Sequence, residues 1–216
     1  MQQEPTIPQT PANEPEDGII TSDSRREGLR SVISTVLILA LAPLIAWLMI
    51  TFVFQSYEVD GPSMEETLQD KDRLMVVKTG KTIAKISSKD YIPKRGEVII
   101  FVKRGLAELG SAQDKQLIKR VIGLPGERVV VSGGKITVYN KDKPGGFDPD
   151  EGTKYAKSIN FTNGEVDITV PDGQVFVCGD NRGNSLDSRA FGPVDNKDII
   201  GKLVFRLFPI NKAESF

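Results

Sequence analysis

Residues 31–54 read SVISTVLILALAPLIAWLMITFVF, an uncharged apolar run that separates a short N-terminal part of the chain from a long C-terminal part. As an α-helix this run would be about 36 Å long at about 1.5 Å per residue, enough to cross a hydrocarbon layer of about 30 Å. Pro43 is tolerated in a membrane helix, and no Ala-x-Ala site of the kind that ends a cleaved signal peptide follows. We therefore predict one transmembrane helix over residues 31–54, against the alternatives of a buried core helix and a cleaved signal peptide.

The flanks of this helix predict its orientation. Arg25, Arg26 and Arg30 precede it, and positively charged flanks stay on the cytoplasmic side of a membrane. We therefore expect the N-terminus in the cytoplasm and the large C-terminal part outside it. Residues 1–30 are rich in Pro, Gln, Glu, Asp and Thr, which bury too little apolar surface to offset chain entropy, so we predict a disordered cytoplasmic tail there.

Beyond the helix, short runs rich in β-branched residues alternate with Gly, Pro, Asp and Asn. This spacing is typical of a mainly β, antiparallel domain, which we predict over residues 55–216. The predicted strands are Leu74–Lys78, Val98–Lys103, Leu117–Ile122, Arg128–Val131, Lys135–Tyr139, Val166–Val170, Gln174–Cys178 and Ile199–Phe205. Residues 140–165 are polar and turn-rich, which predicts an insertion or an irregular lobe on the sheet.

Composition excludes several function classes. A formal net charge of −1 lacks the basic footprint of nucleic-acid binding. The single cysteine, Cys178, cannot form an intramolecular disulfide and is expected to be a small buried apolar residue. The sequence contains no histidine, which excludes a Ser-His-Asp triad, a Cys-His dyad and histidine-ligated zinc. A nucleophilic enzyme would therefore need another base, and lysine is the main candidate because burial can make its amine neutral near pH 7.

Several segments concentrate residues suited to chemistry. They are YEVDGPSMEETL at 57–68, DRLMV at 72–76, RGEV at 95–98, KRVIGLPGE at 119–127 and GDNRGNSLDSRAFG at 179–192. In this order they resemble the bacterial type I signal peptidases, and the resemblance covers nearly all of residues 31–209 outside the 140–165 segment. It implies an antiparallel β-sheet catalytic domain of signal-peptidase type, preceded by one transmembrane helix, in the bacterial plasma membrane.

The resemblance also implies an activity. Relatives of this type are membrane-bound serine endopeptidases that remove signal peptides from exported preproteins, cleaving after small residues without cofactor or metal. The implied partners are signal peptides and the lipid bilayer, with no nucleic acid, and the sequence leaves the oligomeric state open. Two alternatives are a self-cleaving repressor with the same kind of dyad and an inactive or weakly active membrane-anchored binding module.

Ser63 and Lys119 correspond to the nucleophile and the general base of that family. Ser63 follows the turn-forming pair Gly61-Pro62, so its hydroxyl can project from a bend. Strand alternation predicts that Lys119 shares an apolar face, whereas Arg120 faces the opposite way as a surface or packing residue. To act unprotonated, Lys119 needs a pKa about 3 units below about 10.4, which we expect from apolar neighbours and the absence of a close carboxylate.

The resemblance assigns supporting roles to the loop near residue 180. Ser185 is expected to hydrogen-bond the Lys119 amine, and Asp187 with Arg189 is expected to form an ion pair that holds the loop. Asp180 is expected to share that task.

Two positions depart from the family pattern near Ser63. Gly61 stands where many relatives have a serine hydroxyl for the oxyanion, so we expect the backbone at Ser63 and Gly61 to supply the donors. Glu66 replaces a proline, which should loosen the turn, and a carboxylate there would favour charged lysine if it faced Lys119. We expect Glu66 to point into solvent.

Overall fold

A computed structural model describes residues 22–65, 67–78, 91–105 and 114–216. The chain divides into two units, an N-terminal one that ends at Trp47 and a C-terminal one that begins at Leu48.

The first element is helix α1, Ser22–Phe52, which differs from the predicted span at both ends. It begins earlier, so residues 22–30 are helical rather than part of a disordered tail; this stretch has no proline, whereas residues 1–21, which lie outside the described part, have four. It ends earlier because Phe54 already pairs with Val77 in a sheet. The segment Arg30–Met49 is exposed, and its length and apolar composition suit a membrane span.

The C-terminal unit is built from antiparallel strands, and this confirms the predicted mainly β fold. The strands are β1 Phe54–Glu58, β2 Arg73–Val77, β3 Val98–Lys103, β4 Lys115–Gly123, β5 Arg128–Ser132, β6 Lys135–Tyr139, β7 Val166–Thr169, β8 Gln174–Cys178, β9 Val194–Asp195, β10 Ile199–Phe208 and β11 Glu214–Ser215. One sheet has the order β1-β2-β10-β3-β4-β8-β9, with β11 on β10, and a second has the order β6-β5-β7.

Short helices connect some of these strands. They are helix α2, Ser188–Phe191, and the 3-10 helices Tyr155–Ser158, Asn196–Asp198 and Ile210–Lys212. Residues 140–165 contain only the first of these 3-10 helices and one isolated bridge, between Val138 and Phe147.

The apolar core consists of three clusters. The first joins the two sheets and includes Ile122, Val129 and the predicted buried Cys178. The second lies along the larger sheet around Phe101 and Val121. The third is the smallest and holds the turn that follows β1; it contains Val59, Met64, Leu68, Leu74, Val98 and Leu203. Strand β4 therefore has neighbours on both sides in the sheet and buried side chains on both faces.

Candidate active site

The turn after β1 carries Ser63. Its shape is set by apolar burial, because Met64 and Leu68 are fully buried on either side of a short hydrogen-bonded turn, Leu68 N–H to Met64 O at 2.8 Å. Ser63 itself is half-buried. The apolar neighbours thus hold the serine at the rim of the core with its hydroxyl accessible.

Lys119 lies opposite this turn in the middle of β4 and is only 2% exposed. Its Nζ donates a hydrogen bond to Ser63 Oγ at 2.7 Å and another to the carbonyl oxygen of Ile118 at 2.9 Å. A hydroxyl within hydrogen-bond distance of an amine has the geometry that an activated nucleophile requires. The structure therefore brings together the two residues that the sequence singled out, 56 positions apart in the chain.

Burial lowers the pKa of Lys119 to about 8 from its ordinary value of 10.5. Desolvation of the ammonium is the main cause, and Asp187 and Asp180 act in the opposite direction by favouring the charged form. The expectation that no carboxylate lies close enough to matter is therefore wrong. The amine is nevertheless neutral in a substantial fraction of molecules slightly above neutrality.

Ser185 differs from its predicted role. Among the described residues, Lys119 does not hydrogen-bond Ser185. The buried Ser185 Oγ has no hydrogen-bond partner among these residues. The Lys119 amine is turned instead to Ser63 and to the backbone of its own strand. Ser185 Oγ lies against Gly179, on the loop that packs behind the Ser63 turn.

Gly179 is a site residue that sequence reasoning missed. A Cβ atom at this position would clash with the carbonyl oxygen of Ser63 and with Ser185 Oγ. The next part of the loop is bonded to the same carbonyl, since Asn181 N–H donates to Ser63 O at 3.1 Å. The only signal in the sequence is a glycine that directly follows a buried strand and opens a polar loop.

Asp187 and Arg189 form the ion pair that the resemblance implied. Arg189 Nη2 lies 2.7 Å from Asp187 Oδ2, and the same carboxylate accepts from Gly179 N–H at 2.9 Å and caps helix α2. Asp187 is fully buried, so its charge is compensated by these donors. The pair thus holds both ends of the loop that includes Gly179.

Asp180 belongs to a different network from the predicted one. It is buried and forms a bidentate pair with Arg120, at 2.8 Å from Nε and 2.6 Å from Nη2, and it accepts from Thr67 Oγ1 at 2.5 Å. Arg120 is 6% exposed, so of its two predicted roles, surface or packing, it has the packing one. The physical reason is that β4 is covered on both faces, and a charge in that position must be paired.

The segment 140–165 contributes to the same region. Its Asp150 accepts from the buried Arg182 at 2.8 Å, and its Tyr155 ring lies 3.7 Å from the Arg120 guanidinium carbon. Arg182 also donates to the carbonyl oxygen of Gly179. This segment therefore supplies a carboxylate that neutralises the buried Arg182 and an aromatic ring that contacts Arg120.

The two backbone N–H groups predicted to bind the oxyanion differ in whether they already have a hydrogen-bond acceptor. The backbone N–H of Gly61 donates to Asp70 Oδ1 at 2.9 Å, so the prediction that it serves an oxyanion is wrong. Gly61 has a φ of 96°, a conformation that favours glycine and would strain a serine. The Ser63 N–H makes no hydrogen bond within the described residues. Glu66 lies outside those residues.

An apolar groove, about 180 Å³ in volume, opens beside the Ser63–Lys119 contact. Its walls are the end of β1 with the residues that follow, Tyr57–Asp60, and the β4 residues Gln116–Lys119. Ile100 and Leu74 form part of its floor. The groove therefore joins the reactive pair to an edge where an extended peptide could lie.

A half-buried serine bonded to a buried lysine, on an antiparallel domain that follows an exposed apolar helix, defines a candidate membrane-anchored serine peptidase. The family model described as "Signal peptidase, peptidase S26" matches residues 32–208. The chain belongs to the signal peptidase family, peptidase S26.

Two sequence relatives agree with this assignment. Signal peptidase I of Leptolyngbya laminosa is 34% identical over 208 residues, which cover 95% of this chain and 91% of the relative. Signal peptidase I of Bacillus licheniformis is 31% identical over 196 residues, or 89% of this chain and 97% of the relative. A solved signal peptidase I structure from Enterococcus faecalis V583 is 28% identical and covers 52% of this chain and 97% of that chain, with a TM-score of 0.39.

The predicted family, the serine endopeptidase class and the function in signal peptide removal are thereby confirmed. The alternative of an inactive or weakly active binding module is not favoured. With the exposed apolar helix, family membership indicates a membrane-anchored protein.

Proposed function

We propose that Ser63 is the nucleophile and Lys119 the general base of signal peptide cleavage in this chain. The observation that carries the proposal is the 2.7 Å contact between Lys119 Nζ and Ser63 Oγ, made by a lysine whose pKa burial lowers to about 8. A neutral amine in that place can accept the proton of the hydroxyl.

The reaction then has two halves. Neutral Lys119 takes the proton of Ser63 as Oγ attacks the scissile carbonyl, and the resulting ammonium returns the proton to the leaving amine. This leaves an acyl group on Ser63 and a neutral lysine, which next takes a proton from water as the water attacks the ester. The lysine then returns that proton to Ser63 Oγ as the ester bond breaks and the carboxylate product leaves. The N–H of Ser63, which makes no hydrogen bond among the described residues, is the first donor for the oxyanion in both halves.

The supporting residues act through position rather than contact with substrate. Asp187 with Arg189 holds the loop behind Ser63, and Asp180 links Arg120 of β4 to Thr67 of the Ser63 turn. Both pairs keep the serine and the lysine on separate elements at hydrogen-bond distance. Ser185 lies within this loop, and its hydroxyl is buried.

The substrates are the signal peptides of exported preproteins, bound as an extended strand beside Val59 and Asp60. The groove has a volume of only about 180 Å³ and includes the apolar side chains of Val59, Leu117 and Ile118, which suits small side chains before the cut. The helix α1 would lie in the plasma membrane with its N-terminus in the cytoplasm, because three arginines precede the apolar run.

The dyad is tested with the full-length protein in detergent and a preprotein substrate. We expect Ser63→Ala and Lys119→Met each to lower kcat/KM by at least about 10³-fold, because each removes one half of the activated nucleophile. Matched controls are Ser132→Ala and Lys115→Met, exposed residues at strand ends that should retain activity. Equal processing by the wild type and both dyad variants would contradict the assignment of Ser63 as nucleophile and Lys119 as general base.

The orientation is tested separately in intact spheroplasts. External protease should digest the C-terminal unit and leave the N-terminal residues protected. Removal of only the first 30 residues would show that the topology is inverted.

A further inference from the structure

A second cavity, about 330 Å³ in volume, borders the Ser63 turn and shares no lining residue with the apolar groove. Its walls include Glu65, two residues after Ser63, and the loop residues Asn181 and Gly183. Asn181 donates two hydrogen bonds to the turn, from its backbone N–H to Ser63 O and from Nδ2 to Pro62 O at 3.2 Å. Ser63 thus lines the groove, and the turn that carries it borders the second cavity.

The second cavity adjoins a larger one. Ser158 and Asn160 line both, and the larger one has a volume of about 610 Å³. Thr67, four residues after Ser63, also lines the larger cavity. We call these two adjoining cavities the polar channel. Segment 154–163 forms much of its wall, and this segment lies within the part of the chain that the family motifs did not include.

The far end of the polar channel is basic. Two of its arginines, Arg120 and Arg206, are neutralised by the buried carboxylates of Asp180 and Asp72. The lysines there are Lys154, whose side chain is 97% exposed, and Lys157, also exposed, and the lining also includes Glu214. Lys154 is 3.8 Å from Glu214, and Glu214 also pairs with Arg206 at 3.2 Å. Two lysines therefore line this end of the channel, and the Glu214 carboxylate near Lys154 is shared with Arg206.

A substrate that crosses Ser63 must occupy both sides of it. This step rests on the proposed function: if small side chains before the cut lie in the apolar groove, the polypeptide after the cut has to leave by another path. The polar channel begins at Glu65 and Asn181, beside the same turn. Its exposed backbone and side-chain groups suit a polar, extended chain rather than an apolar one.

We infer that the polar channel binds the polypeptide that follows the cleavage site, and that Lys154 and Lys157 favour carboxylate side chains in it. The ligand is an extended peptide segment with Asp or Glu a few residues after the cut. Because both lysines are exposed, the preference is moderate and depends on salt. Glu65 at the near end makes an acidic residue immediately after the cut unfavourable.

The test uses the full-length enzyme in detergent and a set of peptides with one constant signal portion. A single Asp, or a single Lys, is placed in turn at each of the second to eighth positions after the cut, and kcat/KM is measured at low and high salt. We expect the Asp peptide to exceed the Lys peptide by about threefold to tenfold at the best position, chiefly through KM, and this ratio to shrink at high salt. The double variant Lys154→Glu/Lys157→Glu should reverse the ratio.

Lys141→Glu is the matched control, because Lys141 is an exposed lysine of the segment 140–165 that lines neither cavity. It should leave the ratio unchanged. Two results would overturn the polar channel as a binding site: cleavage of all peptides at equal rates, or an Asp-over-Lys preference that the double variant does not change. Neither result would affect the assignment of Ser63 and Lys119. Failure of the wild type to cleave any peptide would overturn the proposed function itself, and the inference with it.

Discussion

Two arginine–aspartate pairs in this protein have nearly the same bidentate geometry and opposite environments. Arg120 pairs with Asp180 behind the Ser63 turn, where the two side chains are 7% and 0% exposed. Arg128 pairs with Asp167 across β5 and β7, where they are 51% and 55% exposed. The distances from Nε to the carboxylate are 2.8 Å and 2.7 Å. Geometry alone therefore does not distinguish the pair at the candidate site.

The difference lies in what happens when one partner is removed. A charge left alone at the surface is solvated by water, whereas a charge left alone in the interior keeps its full desolvation penalty. The buried pair also joins three elements, β4, the Ser63 turn and the loop after β8. The exposed pair joins two strands that are already bonded through their backbones. Removal of the buried pair should therefore affect stability and activity together.

The largest effect on stability is expected for Asp180→Asn. This change leaves Arg120 buried without its counter-charge and should cost about 3–5 kcal/mol in the free energy of unfolding. Urea unfolding of the full-length protein in detergent, followed by circular dichroism, measures this. If Asp180→Asn lowers the free energy of unfolding no more than Asp167→Asn measured in parallel, the contrast between the buried and the exposed pair is wrong.

Gly179→Ala is expected to act on activity more than on stability. The added Cβ would push against the backbone carbonyl of Ser63, and a displacement of the nucleophile by about 1 Å costs about 100-fold in rate. Gly183→Ala is the control from the same loop, since a Cβ there meets no atom within 4 Å. Equal kcat/KM for the two variants would show that the close approach at Gly179 is not needed.

The dependence of activity on pH should follow the Lys119 amine. Its pKa is lowered to about 8, and only the neutral form can accept a proton, so kcat/KM should rise with pH and level off above about 8. Below that value it should fall about tenfold per pH unit. Asp167→Asn, which changes a distant exposed charge, should leave this profile in place. A profile that is flat between pH 6 and 9 would contradict a lysine base.

The smallest effect is expected for the exposed pair itself. Arg128→Met and Asp167→Asn should leave the urea midpoint within experimental error of the wild type, because water replaces the lost partner. A large destabilisation by either would mean that the second sheet depends on this pair, and the contrast with Asp180 would disappear.

Much of the fold could be predicted because periodicity and composition are local properties. The runs Val98–Lys103, Lys135–Tyr139 and Gln174–Cys178 are strands with the predicted bounds. Phe54, the first residue of strand β1, was assigned to the helix, because the apolar run continues into the strand without a break in hydrophobicity. The two-residue strands β9 and β11 have no recognisable pattern of their own and form only by pairing with longer strands.

The candidate site could be predicted in its residue types and only partly in its contacts. Ser63 and Lys119 were identified from the absence of histidine and from the family motifs, and they lie at hydrogen-bond distance. Strand alternation left Arg120 as a surface or a packing residue, because alternation describes one strand and cannot report what covers its other face. The Gly61 N–H was misassigned for a similar reason, because its partner Asp70 is nine residues away across a turn.

The sequence by itself determined the apolar helix, the antiparallel β character and the need for a base other than histidine, because each follows from the kinds of residue present and their local order. Only the tertiary structure decided which charges are buried, which backbone donors are occupied and why position 179 must be glycine. These depend on distances between segments far apart in the chain, such as Ser63, Lys119 and Gly179, and burial and desolvation exist only once those segments have packed.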